Sequence, residues 1–252
     1  MEVVLFLLLG VAVGLMGSLL GVGGGLIVVP VLVFAADYDP QLAVGTSVFV
    51  ILLNGISGSW GYLRQGRVCL DAAVRFSLAT IPGAFLGSYA SEYLRGNLFY
   101  AAFGVFFVLA AVNMYRKAKK TGGNSASSQM PNSYNWQLGV ICSIFVGFLA
   151  TVLGIGGGIV HVPMMVYVLG FPVHIAIATS TLILAVSALA GVVSHAFLGH
   201  IVWLTAVAIG VGAVVGAQLG VRAAERLKSS ALMQMASVLV FVTGIKFLMN
   251  CF

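Results

Sequence analysis

The sequence predicts an all-α, polytopic membrane protein made of two homologous repeats, and three observations predict it. The chain has 252 residues, of which 61% are hydrophobic and 7% charged, whereas soluble domains are about half apolar and about a quarter charged. From Thr121 to Val221 run 101 residues without Asp, Glu, Lys or Arg, and Val3 to Ala36 form a further 34; about 20 helical residues suffice to cross a hydrocarbon core. The second half repeats the first at a constant spacing. Because the apolar runs are apolar on every side, without the alternation of a lumen-facing strand, they exclude an outer-membrane barrel. Helices then satisfy the backbone in lipid.

The apolar segments of the first half are 3–36, 41–63, 72–91 and 98–115, and those of the second are 137–170, 174–197, 201–221 and 231–250. Between them, residues 116–136 are rich in Ser, Asn, Gly and Lys, the composition of an exposed linker. The expected organisation is thus a first transmembrane repeat over 1–115, a basic polar cytoplasmic linker over 116–136, and a second repeat over 137–252. The net charge of +6 does not indicate nucleic acid, since four of the twelve basic residues, Arg116, Lys117, Lys119 and Lys120, flank an apolar segment as a membrane-side anchor. Cys69, Cys142 and Cys251 are odd in number and lack metal-ligand spacing, so neither metal nor cofactor is expected. Met1-Glu2 opens the chain without a basic n-region or cleavage site, and the first segment is read as retained.

A gapless shift of 133 residues superposes Gly21-Val-Gly-Gly-Gly25 on Gly154-Ile-Gly-Gly-Gly158, Pro30 on Pro163 and Ala43-Val-Gly-Thr-Ser47 on Ala176-Ile-Ala-Thr-Ser180. It continues through Gly58 on Gly191, Gly66 on Gly199, Gly83 on Gly216, Gly87 on Gly220, Glu92 on Glu225 and Leu94 on Leu227. Chance matching of Gly and Ala does not align Pro, Thr-Ser and Glu in one register. Short cytoplasmic loops collect Lys and Arg, which places Arg64, Arg67, the 116–120 cluster, Arg222, Arg226 and Lys228 inside and Asp37 and Asp39 outside. These share a side only if each long first segment is a hairpin followed by three spans, with the second repeat inverted. The alternative is one kinked span per long segment, eight spans in all and a parallel duplication.

The glycine runs are the candidate site. Gly23, Gly24 and Gly25 interrupt the first helix of the first half, and Gly156, Gly157 and Gly158 do the same in the second half, because consecutive glycines neither favour helix nor restrain the backbone. In an inverted repeat the two breaks face each other, and their freed N–H groups and helix N-termini suit an anion. The glycines at 83, 87, 216 and 220 read instead as helix-packing residues. Thr46-Ser47 and Thr179-Ser180 add hydroxyls at matched positions, to donate to an anion oxygen or to bond the preceding helical turn. Asn54, opposite Ser187, has only a lining role. Of the four histidines, His161 follows the second break and is either a core residue or a proton or substrate contact. His174 and His200 are expected as solvated segment ends, and His195, opposite Tyr62, near the membrane surface.

A rival reading rests on Gly55-Ile-Ser57-Gly58, which has the GxSG form of an intramembrane serine protease and would need a histidine as base. Its counterpart Ala188-Leu-Ala190-Gly191 shows a slot that is merely small. No HExxH and no P-loop occurs, and an anion channel stays open without visible filter signatures.

Taken together, the paired GxGGG runs, each with Pro five residues on and followed by Ala-x-x-Thr-Ser, and the basic central linker resemble the sulfite exporter TauE/SafE family of membrane transporters over almost the whole chain. The resemblance implies transport of a small sulfur-containing anion, such as sulfite, a sulfonate or a related organosulfur acid, across the cytoplasmic membrane. The residues themselves reach as far as an anion, with substrate contacts expected at Gly23 to Gly25, Gly156 to Gly158 and the two Thr-Ser pairs. The partners expected are that anion and the bilayer, without nucleic acid; a homodimer is allowed but not specified.

Overall fold

A computed structural model describes residues 2–91, 93, 97–120, 134–154 and 156–249. Ten helices follow in order among them: α1 (Glu2–Leu20), α2 (Gly25–Phe34), α3 (Pro40–Arg64), α4 (Leu70–Ser91), α5 (Asn97–Lys120), α6 (Trp136–Leu153), α7 (Gly158–Tyr167), α8 (Val173–Phe197), α9 (Trp203–Arg226) and α10 (Ser229–Met249). The 133-residue shift carries α1–α5 onto α6–α10. Among the described residues, five helices, within α1, α3, α8, α9 and α10, are long and apolar enough to cross a membrane. By contrast α2 and α7 have ten residues each, about 15 Å and half a hydrocarbon core. Large apolar residues point outward, with Leu204 76% and Phe197 89% exposed, while Ser18, Thr46, Ser47, Asn54, Thr179 and Ser180 are fully buried. That distribution suits a surface bathed in hydrocarbon rather than water.

Glycine decides how the helices meet. A methyl added at Gly10 would lie 2.0 Å from the Ile209 carbonyl oxygen, one at Gly216 2.1 Å from that of Val11, and one at Gly220 2.3 Å from that of Leu15. Residue numbers rise together along both helices, so α1 and α9 run parallel with their backbones in contact, as small-residue seams permit. The same seam recurs between α4 and α6, where Gly83 faces the Ile144 carbonyl at 2.1 Å and Gly87 that of Phe148 at 2.5 Å. The packing role expected of 83, 87, 216 and 220 is therefore what these glycines perform. The first helix of each half lies along the fourth helix of the other, and neither half is packed as an independent domain.

At the centre α3 meets its own counterpart α8. Gly55 lies against Ala185, Gly58 against Thr181 and Gly191 against Val48, so the numbers run in opposite order and the two helices are antiparallel. Ser57 and Gly61 meet Val214, Gln218 and Val221 of α9, which sets α3 parallel to α9. The C-terminal ends of α3 and α9 accordingly share one face, where Arg67 approaches Glu225 at 3.5 Å. Their N-terminal ends share the other, where the Tyr38 and Thr205 hydroxyls are 2.8 Å apart. Arg64, Arg67, Arg222 and Arg226 belong to the first face, and Asp37 and Asp39 to the opposite one. With α1 and α3 parallel, the chain between them must return, and each long apolar segment is a full helix followed by a short arm.

The expected linker begins too early. Residues 116–120 continue α5, because Lys and Arg are good helix formers and favourable at a helix C-terminus, and Trp136 already opens α6. Residues 121–133, together with the Glu92 and Leu94 positions of the repeat, lie outside the described residues. Beyond them Asn135 caps α6 by accepting the Leu138 N–H, and the Tyr134 hydroxyl donates to Asp71. Burial and that carboxylate both push the Tyr134 hydroxyl above its ordinary range.

Candidate functional site

The two glycine runs each produce a break between helices. Gly21, Gly23 and Gly24 take φ of 68°, 82° and 84°, and Gly154, Gly156 and Gly157 take 62°, 79° and 68°, a left-handed region that favours glycine. Gly25 and Gly158, placed within the break by their sequence, are instead the first residues of α2 and α7. A second departure is Gly21 with Gly154, which bend the chain as much as the central glycines do.

The breaks abut. A methyl at Gly158 would sit 1.9 Å from the Gly21 carbonyl oxygen and 2.7 Å from Val22 Cα, and one at Gly156 would meet Val22 O at 3.4 Å. Ile51 of α3 reaches both breaks, lying 3.1 Å from the Gly23 position and 3.0 Å from that of Gly156, while Leu184 meets Gly23 at 3.3 Å. The N-caps of α2 and α7, Gly24 and Gly157, offer no side chain to the first-turn amides. First-turn amides without a cap carry the positive end of the helix dipole, and here two such ends are buried at neighbouring breaks.

Of the matched hydroxyls, those of Ser47 and Ser180 lie against the breaks, and all four have a backbone partner. Ser47 Oγ donates to the Gly154 carbonyl at 2.7 Å and Ser180 Oγ to that of Gly21 at 3.3 Å, so each half tethers the break of the other. Thr46 Oγ1 accepts the Val202 N–H at 3.1 Å, at the start of α9, and Thr179 Oγ1 accepts the Cys69 N–H at 3.0 Å, just before α4. Sequence reasoning found the residues but not their backbone partners.

Three further groups surround the breaks. Ser18 Oγ donates to Asn54 Oδ1 at 2.9 Å, and Asn54 is fully buried. On the other side of the pseudo-symmetry, where Ser187 replaces Asn54 and Thr151 replaces Ser18, the smaller side chain leaves a cavity lined by Val48, Ile51, Ala150, Thr151, Gly156, Ser187 and Ala188. It leaves about 10 Å³ for the centre of a water-sized sphere, near the threshold for one water. An oxyanion does not fit in this cavity. His161, on α7, is buried with Nε2 3.0 Å from Ser143 Oγ. Since Ser143 donates its proton to the Gly139 carbonyl at 2.7 Å, the imidazole donates through Nε2, and Nδ1 is buried without a partner.

The remaining histidines differ from expectation. His195, in the last turn of α8, is fully buried within the protein, and its Nδ1 is 3.2 Å from that of His200; His174 and His200 are half-buried rather than solvated. Ser57, the nucleophile of the protease reading, donates to the Val214 carbonyl at 2.8 Å and accepts from Gln218 Nε2 at 2.9 Å. Its hydroxyl serves the α3–α9 contact, and its partners there include no histidine. Among the described residues no cluster of His, Cys, Asp and Glu is arranged to hold a metal.

Apolar helices crossing the bilayer length, with two short helices starting from abutting, buried breaks, define a multi-pass helical membrane protein of the transporter class. The chain belongs to the sulfite exporter TauE/SafE family, whose family model matches residues 6–247. It is 33% identical over 263 residues to "Probable membrane transporter protein YunE" of Bacillus subtilis, covering 97% of this chain and 96% of that protein. A second relative, "Probable membrane transporter protein MJ0441" of Methanocaldococcus jannaschii, is 25% identical over 96% of this chain and 93% of its own. "Probable membrane transporter protein" of Xylella fastidiosa (strain Temecula1) is 28% identical over 88% and 84%. No solved structure matches the chain at a significant level.

Proposed function

We propose that the protein is a secondary transporter of small sulfur-containing anions, sulfite, a sulfonate or a related organosulfur acid, working by alternating access of two inverted repeats. The observation that carries this reading is the abutting pair of breaks, each opening a short helix whose N-terminal amides lack a side-chain cap. Buried helix N-termini at discontinuous helices are anion sites in secondary transporters. The polar groups buried among the described residues are hydroxyls, Asn54 and two histidines, with no carboxylate to hold a cation. The antiparallel course of α3 and α8 supports inversion of the second half. The family supplies the sulfur; the residues supply only the sign of the charge.

In this reading Gly23, Gly24, Gly25, Gly156, Gly157 and Gly158 supply the amides, those of Gly23 and Gly158 exchanging their bonds to the Gly17 and Gly156 carbonyls for the anion, as parting of the two halves opens the site alternately to either face. Thr46, Ser47, Thr179 and Ser180 hold the framework in the closed state and turn their O–H groups to donate to the anion once the halves part. His161 Nδ1 takes a proton or meets the substrate. The basic face, with Arg64, Arg67, Arg222 and Arg226, lies on the cytoplasmic side of the cell membrane. Uptake of labelled sulfite and alkanesulfonates into reconstituted vesicles tests this. Saturable uptake, competed by other sulfur anions and without single-channel conductance, is expected; movement of cations alone would overturn it, and ohmic anion current would favour a channel.

A further inference from the structure

The end of α3 carries Tyr62 and, after the turn, Arg67; the 133-residue shift carries this pair onto His195 and His200 at the end of α8. Their backbones are alike. The Arg67 N–H donates to the Tyr62 carbonyl at 3.2 Å and the His200 N–H to that of His195 at 2.9 Å, with Gly66 and Gly199 at φ 65° and 71° in the intervening turns. The buried rings occupy matching places, since the Tyr62 hydroxyl donates to the Ser18 carbonyl at 2.8 Å, while His195 Nε2, near Thr151, the counterpart of Ser18, is buried without a hydrogen-bond partner. Because α3 and α8 are antiparallel, the pairs sit at opposite ends of the molecule. Arg67 is beside Glu225 on the basic face, whereas the His200 carbonyl lies over Gly45 at the start of α3.

Each pair stands between a face and a glycine break. Ser18, bonded to Tyr62, also bonds Asn54 beside the first break, and Thr151, next to His195, lines the cavity at Gly156. Chemically the two ends are unequal. Arg67 is charged at every physiological pH, and its Nη1 is buried without a hydrogen-bond partner. His195 and His200, with Nδ1 atoms 3.2 Å apart, form a neutral pair that binds one proton without losing that bond. His200 then donates through Nδ1 to His195 Nδ1, and His195 keeps its Nε2 proton on the Thr151 side.

We propose that the two pairs are the mouths of the anion path, and that the histidine mouth admits the anion together with one proton whereas the arginine mouth needs none. The proposal rests on the anion-transporter reading above. The groups facing the histidine pair are the Thr151 carbonyl from α6 and the Gly45 backbone from α3. Among the described residues the first turn of α9 brings no charge, and the charged residues at this face include Glu2 at the start of α1, Asp37 and Asp39 in the α2–α3 turn, and Lys246 of α10, which lies over Phe34. Among the described residues no arginine stands beside the histidine pair as Arg67 does at the other end, and the bound proton supplies a positive charge at the rings themselves.

The test is vesicle uptake of methanesulfonate, a fixed-charge anion, from about pH 5.5 to about pH 8, where imidazole titrates. Wild-type uptake is expected to fall about fivefold or more as pH rises through this range. The double variant His195→Tyr with His200→Arg rebuilds the pair that the first half already accommodates, and its uptake is expected to be retained and flat with pH. A folded double variant with the wild-type pH profile, or a wild-type profile that is itself flat, overturns the proposal while leaving the transporter reading intact. Wild-type protein that moves no anion overturns both. Should the double variant not fold, His200→Gln alone is expected to hold uptake at the high-pH level throughout, and an unchanged profile in it counts against the proposal equally.

Discussion

Gly158→Ala is expected to abolish transport and to lower thermal stability more than any other single methyl at the breaks. Its added carbon would stand 1.9 Å from the Gly21 carbonyl oxygen and 2.7 Å from Val22 Cα, both backbone atoms of the opposing break, with no flexible side chain to yield. Overpacking of this kind costs about 1–3 kcal/mol and sometimes more, and relief requires separating the surfaces that hold the uncapped amides together. Gly66→Ala is the control. Gly66 has φ 65° with nothing within 4 Å of the added carbon, so it bears left-handed strain alone, roughly 1–2 kcal/mol. Thermal unfolding of the purified variants, alongside vesicle uptake, checks the contrast; a Gly158→Ala protein as stable as Gly66→Ala would show that the breaks do not abut.

The double substitution Thr46→Val with Thr179→Val is expected to destabilise the fold strongly, not merely to weaken ligand binding. Each threonine accepts a backbone N–H that opens a helix, Val202 for α9 and Cys69 for α4. Valine keeps the shape and removes the acceptor, leaving a part-buried donor unmatched at about 1–3 kcal/mol each. The two sites lie at opposite faces with separate partners, so the costs should add, as they do for distant sites. Thr→Ser at both positions retains the acceptor and should recover most of the loss. Equal melting temperatures for wild type and the valine double variant would return these hydroxyls to a purely ligand-facing role.

The sequence revealed the helices and the breaks because both are written in local composition. Uncharged runs longer than a span have one solution in lipid, and consecutive glycines have no helical reason to be there. The duplication likewise made Gly21 to Gly25 and Gly154 to Gly158 comparable at a glance. Partners were harder to read. That α1 lies along α9, with Gly216 against Val11, depends on contacts across some two hundred residues, and a small-residue seam names its own face but not the helix that fills it. The Thr-Ser pairs were visible as paired hydroxyls, yet whether a hydroxyl serves a ligand or a neighbouring helix is decided by a backbone amide that leaves no mark on sequence. The Tyr62–Arg67 and His195–His200 correspondence was available in the register itself. It was obscured because unlike side chains at equivalent positions do not register as a match, and because the burial of His195 in the last turn of α8 leaves no mark in local composition.

The central claim is that an anion is held where the two breaks meet, and the most direct measurement is the thermal stability of the detergent-purified protein against sulfite, sulfoacetate, taurine, sulfate, acetate, phosphate and simple cations. A ligand present at about a hundred times its dissociation constant adds roughly 2.7 kcal/mol to the folded state. The account predicts a selective shift with sulfite or a sulfonate that disappears in Gly158→Ala. Stabilisation by cations alone, or an anion shift that Gly158→Ala leaves untouched, would contradict it.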